Sequence, residues 1–356
     1  MSDQALPVPR ENRTLRGHEA VEERFRRIWD QGRVHHGWLL HGPAGIGKAT
    51  LAHRISRFVL APPQLRPAVD NPQSPLEPIG DDPVLTRLLG GSHGNALVIE
   101  RPYDAARARE KPEIPVDEAR RASPFLRSTA AEGDWRIVII DGAEAMNTAA
   151  ANAILKLLEE PPPKCLILLI SHQLGAVMPT IRSRCNRLAL SPVDTTATER
   201  YLDQWFQNIS HEERSFACAI APGRPGAIGA WLHIGVGEWH AMMVSLLEQY
   251  PRVGRRAVLE AAELIGRADD AVFHGVQTLL KLLLERITRC AAGAPVMDWG
   301  DGERLASIAA RAPLDTWIRL WENTCSKLDR IGYANLDRVT GLIDVIDCWS
   351  PDRADA

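Results

Sequence analysis

Gly42-Pro43-Ala44-Gly45-Ile46-Gly47-Lys48-Ala49-Thr50 has the residue types of a phosphate-binding loop, complete except at position 49, where a hydroxyl is expected and Ala49 stands. Gly42, Gly45 and Gly47 allow backbone N–H groups to turn inward around phosphate oxygens. Lys48 supplies a point charge, and the N-terminus of a following helix adds its partial positive charge. The missing hydroxyl would normally ligate Mg²⁺. Thr50 lies one residue on, about 100° further around a helix, and is an imperfect substitute. Phosphate binding is therefore better supported than metal-assisted hydrolysis, and a chance glycine-rich turn is the competing account.

The second chemical element is Arg136-Ile137-Val138-Ile139-Ile140-Asp141, an apolar run ending in a carboxylate. In nucleotide hydrolases such a strand end holds a metal-bound water, so Asp141 is the candidate Mg²⁺ contact, and the next residue is commonly a Glu that polarises the attacking water. Here that residue is Gly142, and Glu144 follows out of position. The alternative for Asp141 is a plain polar strand terminus.

These residues need a parallel sheet to position them. Trp38 to His41, Ala96 to Glu100, Arg136 to Ile140 and Cys165 to Ile170 read as buried strands, and Leu51 to Leu60 has helical spacing directly after the loop. Residues 62–83 carry seven prolines, exclude helix and central strand, and read as an exposed insertion. After about Leu190 the periodicity is helical throughout: Thr198 to Ile209, Glu212 to Ala221, Val236 to Gln249, Arg255 to Leu264, Ala271 to Cys290, Leu314 to Leu328 and Asn335 to Cys348. The expected division is an α/β nucleotide-binding domain over 1–191, a small helical lid over 192–235 and an all-helical domain over 236–356.

Composition excludes several classes. Of the 356 residues 45% are apolar and 24% charged, an ordinary globular balance, and the formal charge of -3 gives no global basic surface for nucleic acid. No apolar run approaches the ~20 residues of a membrane span, and the polar start Met1-Ser2-Asp3-Gln4 lacks a secretory pattern, so a cytoplasmic protein is expected. The six cysteines are scattered without metal-ligand spacing, so no zinc site is expected. His35 and His36 precede the first strand and receive no metal. The ten tryptophans are too dispersed for a base-stacking platform and read as packing residues.

Asn152-Ala153-Ile154-Leu155-Lys156-Leu157-Leu158-Glu159-Glu160-Pro161-Pro162 and Pro179-Thr180-Ile181-Arg182-Ser183-Arg184-Cys185 resemble motifs of clamp-loader subunits of the AAA+ class. The resemblance runs from Arg16-Gly17-His18-Glu19 to Ala334-Asn335-Leu336-Asp337-Arg338. It implies an AAA+ fold with a P-loop and parallel sheet, a helical lid and a C-terminal helical collar. It also implies ATP or ADP at the loop and Arg184 as an arginine finger acting in trans on a neighbouring subunit's ATP. For Arg184 the plain alternative is an arginine paired with a carboxylate at a sheet edge. Within the family the chain is most similar to the delta-prime subunits of bacterial DNA polymerase III. The gamma/tau motor subunits are the alternative, with Thr50 and Glu144 rescuing hydrolysis. A general AAA+ remodelling factor is a third reading. Ala49 and Gly142 depart from the motor pattern. So does Ala227, where the pattern places a nucleotide-sensing Arg, with nearby Arg224 as a partial replacement or a surface turn residue. A role in DNA replication follows from the resemblance. The chain would be a stator with weak or absent ATPase activity of its own, assembled in a hetero-oligomer with gamma/tau and delta subunits. Sliding clamp and primer-template DNA would be reached through that assembly. The four-cysteine zinc module common in gamma and delta-prime subunits is replaced here by the proline-rich insertion. Ser171 and His172 fall in the family's sensor region, and Cys185 reads as packing.

Overall fold

The computed structural model describes residues 6–71, 74–80, 82–104, 109–129, 133, 135–206, 208–333 and 337–349. Residues 334–336 of the motif at 334–338, and the start of the helix expected from Asn335, lie outside the described residues. The chain divides into two compact units, residues 1–207 with 222–227, and residues 208–221 with 228–356.

The first unit is built on five parallel strands. These are β1 (Gly37–His41), β2 (Ala96–Ile99), β5 (Arg136–Asp141), β6 (Cys165–Ser171) and β7 (Asn186–Ala189), in the order β2-β5-β6-β1-β7. A two-stranded antiparallel pair, β3 (Tyr103–Asp104) and β4 (Arg109–Glu110), stands apart from it. β6 is buried along its whole length, and β1 and β5 along all but their last residue, which is why they read as continuous apolar runs rather than alternating ones. All four expected strands form. β7 was not expected, because only Leu188 of its four residues is buried and so no strand pattern marks it.

Helices flank this sheet: α1 (Glu19–Asp30), α2 (Lys48–Leu60), α3 (Pro83–Leu89), α4 (Val116–Arg120), α5 (Ala122–Arg127), α6 (Thr148–Glu159), α7 (Pro179–Arg182) and α8 (Thr195–Trp205). One face of the sheet packs on Leu51, Ile55 and Phe58 of α2, the other on Ile154, Leu157 and Leu158 of α6. α2 is fixed by an ion network as well. Arg54 donates to Glu22 of α1 at 2.7 Å with both side chains 2% exposed, and Arg57 donates to Glu77 at 2.7 Å. The segment 62–83 is therefore not the exposed insertion expected. Leu76 is fully buried in the core beside α2, Ser74 donates to Glu22, and Glu77 neutralises Arg57. Helix is not excluded either, since a short 3-10 helix forms at Pro63–Leu65 and α3 starts at Pro83, and burial is possible because this segment's carboxylate and hydroxyl satisfy buried partners from α1 and α2.

The second unit is helical: α9 (His211–Ile220), most of α10 (Pro225–His233), α11 (Val236–Leu247), α12 (Arg255–Gly266), α13 (Asp270–Ala291), α14 (Gly302–Ala309), α15 (Leu314–Tyr333) and α16 (Arg338–Asp347). α13 packs against α15 around the fully buried Trp317, and Trp349 donates from its indole to Thr324 at 3.1 Å. Every helix expected after 190 forms within a few residues. α10 and α14 are not among the expected helices; α10 begins at Pro225, which is tolerated because Pro at a first helical turn loses no hydrogen bond.

Candidate functional site

The loop leaves the carboxyl end of β1, an inner strand between β6 and β7, and enters α2, which begins at Lys48. Gly45 adopts a φ of +80°, and a Cβ there would stand 2.4 Å from the backbone nitrogen of Ala227. Gly226 N–H donates to the Gly45 carbonyl at 2.8 Å. Glycine is needed at 45 for both its backbone conformation and its close approach. Position 227, singled out in the sequence for its missing arginine, lies directly on the loop. Arg224 is half-buried, and the cleft beside the loop is lined by Pro225 and Gly226 instead.

Lys48 is 3% exposed, and its ammonium donates to the carbonyls of Gly42 at 2.8 Å and Pro43 at 2.5 Å. Burial lowers its pKa to about 8, against the pull of Asp141 and Glu144. Asp141, at the end of β5, is pushed up to about 6, by burial first and by Glu100 second, with Lys48 opposing. Gly142 follows in the left-handed region at φ +87°, so a catalytic Glu at that place would carry backbone strain. Glu144 turns back across the strand ends, where its Oε1 accepts from the His172 N–H at 3.0 Å.

A cleft of about 450 Å³ opens beside these groups, in the size range of small-molecule sites. Lys48, Ala49, Thr50, Asp141 and His172 line it, with Leu15 and Ile170 among its apolar walls. Thr50 shares the cleft with Ala49 despite its different helical direction. Sequence reasoning missed Tyr201 and Trp205 of α8 as lining residues. Their rings meet at a tilt with centroids 4.7 Å apart across one helical turn, and that i,i+4 aromatic spacing was the available signal. His18, quoted only as part of a motif, contacts the loop, its Nε2 lying 2.7 Å from the Ile46 carbonyl oxygen. Ser171 is fully buried, and its hydroxyl accepts from the Gln173 N–H.

The glycine cradle and Lys48 fit a phosphate. The metal position is less complete, since a methyl stands at Ala49 where a hydroxyl would ligate, and Asp141 is the carboxylate among the residues lining the cleft.

His35 and His36 do not line this cleft. They stack on each other at 4.3 Å before β1, and His36 contacts the Leu158 carbonyl oxygen at 2.8 Å. The whole of β1, about 16 Å of strand, separates them from the loop.

Arg184 presents the opposite case. It follows α7, its side chain is 40% exposed, and its guanidinium pairs with Glu159 at 2.9 Å and donates to the Thr180 carbonyl at 3.1 Å. The fold thus joins the last acidic residue of α6 to the arginine of the second motif. Cys185 beside it is pushed up to about 12 by burial, which suits packing and not nucleophilic chemistry.

Comparison with known proteins adds the relationship. The family model described as DNA polymerase III, delta subunit, matches residues 17–194, half of the chain. A DNA polymerase III subunit delta' from Pseudomonas aeruginosa is 36% identical over 221 residues, covering 61% of this chain and 63% of that protein. The Escherichia coli subunit of the same name is 28% identical over 202 residues, covering 56% and 55%. The matches thus span less than two thirds of these relatives. A DNA polymerase III subunit gamma/tau from Mycobacterium tuberculosis is 30% identical over 169 residues, covering 47% of this chain and 26% of that one. A gamma subunit-related protein from Thermotoga maritima aligns with 93% of this chain and 99% of its own at 17% identity, with a TM-score of only 0.40. With a phosphate-binding loop set between β6 and β7, the two motifs joined through Glu159 and Arg184, and the family model matched across all five parallel strands, this chain belongs to the DNA polymerase III delta-subunit family as a member of the delta-prime type.

Proposed function

We propose that this chain is the delta-prime-type subunit of a DNA polymerase III clamp loader. In this reading it is a stator that assembles with gamma/tau and delta subunits to place a sliding clamp on primed DNA. Its domains are 1–191, a lid over 192–235 and a collar over 236–356. Its own loop holds ATP or ADP through Gly42, Gly45, Gly47, Lys48 and the α2 N-terminus without turning it over, and the protein works in the cytoplasm.

The observation that carries this reading is the contrast between two cations. Lys48 is buried among its own loop carbonyls, whereas Arg184 is exposed and aimed by Glu159. A solvent-facing guanidinium oriented by a carboxylate suits delivery to a neighbour's γ-phosphate, where charge develops during transfer. The chain's own site lacks the hydroxyl at Ala49, the Glu at Gly142 and the arginine at Ala227.

One observation favours the gamma/tau-type motor instead. Glu144 Oε2 is buried without a hydrogen bond among the described residues, close enough to Lys48 and Asp141 to act on both electrostatically. ATP turnover by the isolated chain separates the two. The stator reading expects none above background, whereas turnover abolished by Lys48→Ala would establish the motor.

A further inference from the structure

The first unit contains a second cavity, of about 240 Å³, between the N-terminal segment, α2 and the β2 edge of the sheet. Its polar lining holds three cations, Arg10, Arg57 and Arg121, and two histidines, His53 and His93, set against apolar residues including Leu88 and Ile139, with no carboxylate among the lining residues. For a chain of net charge -3 this is a marked local excess. The carboxylates that answer these arginines lie outside the cavity: Glu77 on Arg57, Glu11 on Arg10 and Glu118 on Arg121.

His53 is the least satisfied member. It projects from α2 with no side-chain hydrogen bond among the described residues. Burial, then Arg57, then Arg10 hold its pKa down to about 4. A polar ring half-enclosed by arginines gains most from an anion that accepts hydrogen bonds from ring and guanidinium together.

We infer that this cavity is an anion site for a phosphate group, bound by Arg10, Arg121 and His53 over the fixed charge of Arg57, and separate from the phosphate-binding loop. Arg10 and Arg121 have side chains 44% and 54% exposed, so both can turn from their surface carboxylates onto a ligand. Arg57, 2% exposed, contributes field rather than motion. The phosphate could be free or belong to a nucleic-acid backbone, and the two sources share this chemistry.

The test is histidine-detected NMR of the full chain, with the His53 resonance assigned by His53→Gln. Inorganic phosphate is titrated at constant ionic strength against chloride. The inference expects a saturable shift of His53, separate from any shift of His18 and His172 beside the loop, with the His53 pKa rising by about one to three units. Arg10→Gln and Arg121→Gln, both at exposed positions, should each weaken binding roughly tenfold or more. Lys48→Ala should leave it unchanged, which separates this site from the loop. A short DNA duplex that shifts His53 at much lower concentration than phosphate would identify backbone phosphate as the source. A shift by phosphate alone would identify the free ion. His53 unmoved by either ligand, or moved equally by chloride, would overturn the inference.

Discussion

Two cationic sites in one unit, the loop around Lys48 and the corner around Arg184, are built in opposite ways. The loop is enclosed: Lys48 is buried, α2 is anchored by the Glu22–Arg54 pair at 2% exposure, and Gly226 and Ala227 close over Gly45. The Arg184 corner is open, with both members of its ion pair at 40% or more exposure. Enclosure suits retention of a phosphate, and exposure suits reaching one held elsewhere. On the proposed reading, the difference separates a nucleotide-binding architecture kept as a scaffold from a charge presented outward.

The largest expected effect is kinetic. In a reconstituted loader Arg184→Ala should lower ATP hydrolysis at the neighbouring site by roughly 10³ to 10⁵, the range for arginine fingers. Arg184→Lys should recover little of it, because an ammonium lacks the planar fork. Chemical denaturation of the isolated chain should show almost no change for either variant.

Next in size is the anchor beneath the loop. Glu22→Gln leaves the buried Arg54 with Glu77 at 3.3 Å and the Arg13 carbonyl as its remaining charged and polar partners, and should cost roughly 1.5 to 3 kcal/mol in unfolding free energy measured by denaturant titration. Loss of less than about 1 kcal/mol would mean that the two sites are equally open and would break the comparison.

pH sharpens it. The folded state holds the Asp141 proton more tightly than the unfolded chain does. This group therefore favours folding at low pH, and its contribution is lost as pH rises from 3.8 through about 6. Lys48 has the opposite sense: its folded pKa is about 8 against 10.5, so its contribution to stability rises with pH between those values. Carboxyl and Nζ NMR titrations should place Asp141 near 6 and Lys48 near 8. Ordinary values for both would show a hydrated, open loop.

The smallest effect belongs to the Arg184 pair itself. Glu159→Gln should alter stability by at most about 1 kcal/mol, as exposed ion pairs do, while loosening the aim of Arg184 enough to slow the assembled loader several-fold.

Much of this was legible in sequence for a physical reason: the loop, β1, β5, β6 and α2 are local patterns whose apolar spacing matches their burial. What escaped was non-local or weakly patterned. The meeting of Ala227 with Gly45 joins residues far apart in the chain, and the Glu159–Arg184 pair depends on where α6 ends relative to α7. Residues 74–77 looked like solvent-exposed coil because proline content reports backbone geometry and says little about burial. The cationic cavity was invisible, since Arg10, His53 and Arg121 come from three separate segments.

The central claim is that the working cation of this chain is Arg184 and not Lys48, and one assay compares them directly. Clamp- and DNA-stimulated ATP hydrolysis is measured in a loader reconstituted with this chain carrying either Arg184→Ala or Lys48→Ala. The account predicts near-complete loss at one neighbouring ATP site with the first and undiminished turnover with the second. Loss with Lys48→Ala and full activity with Arg184→Ala would contradict it.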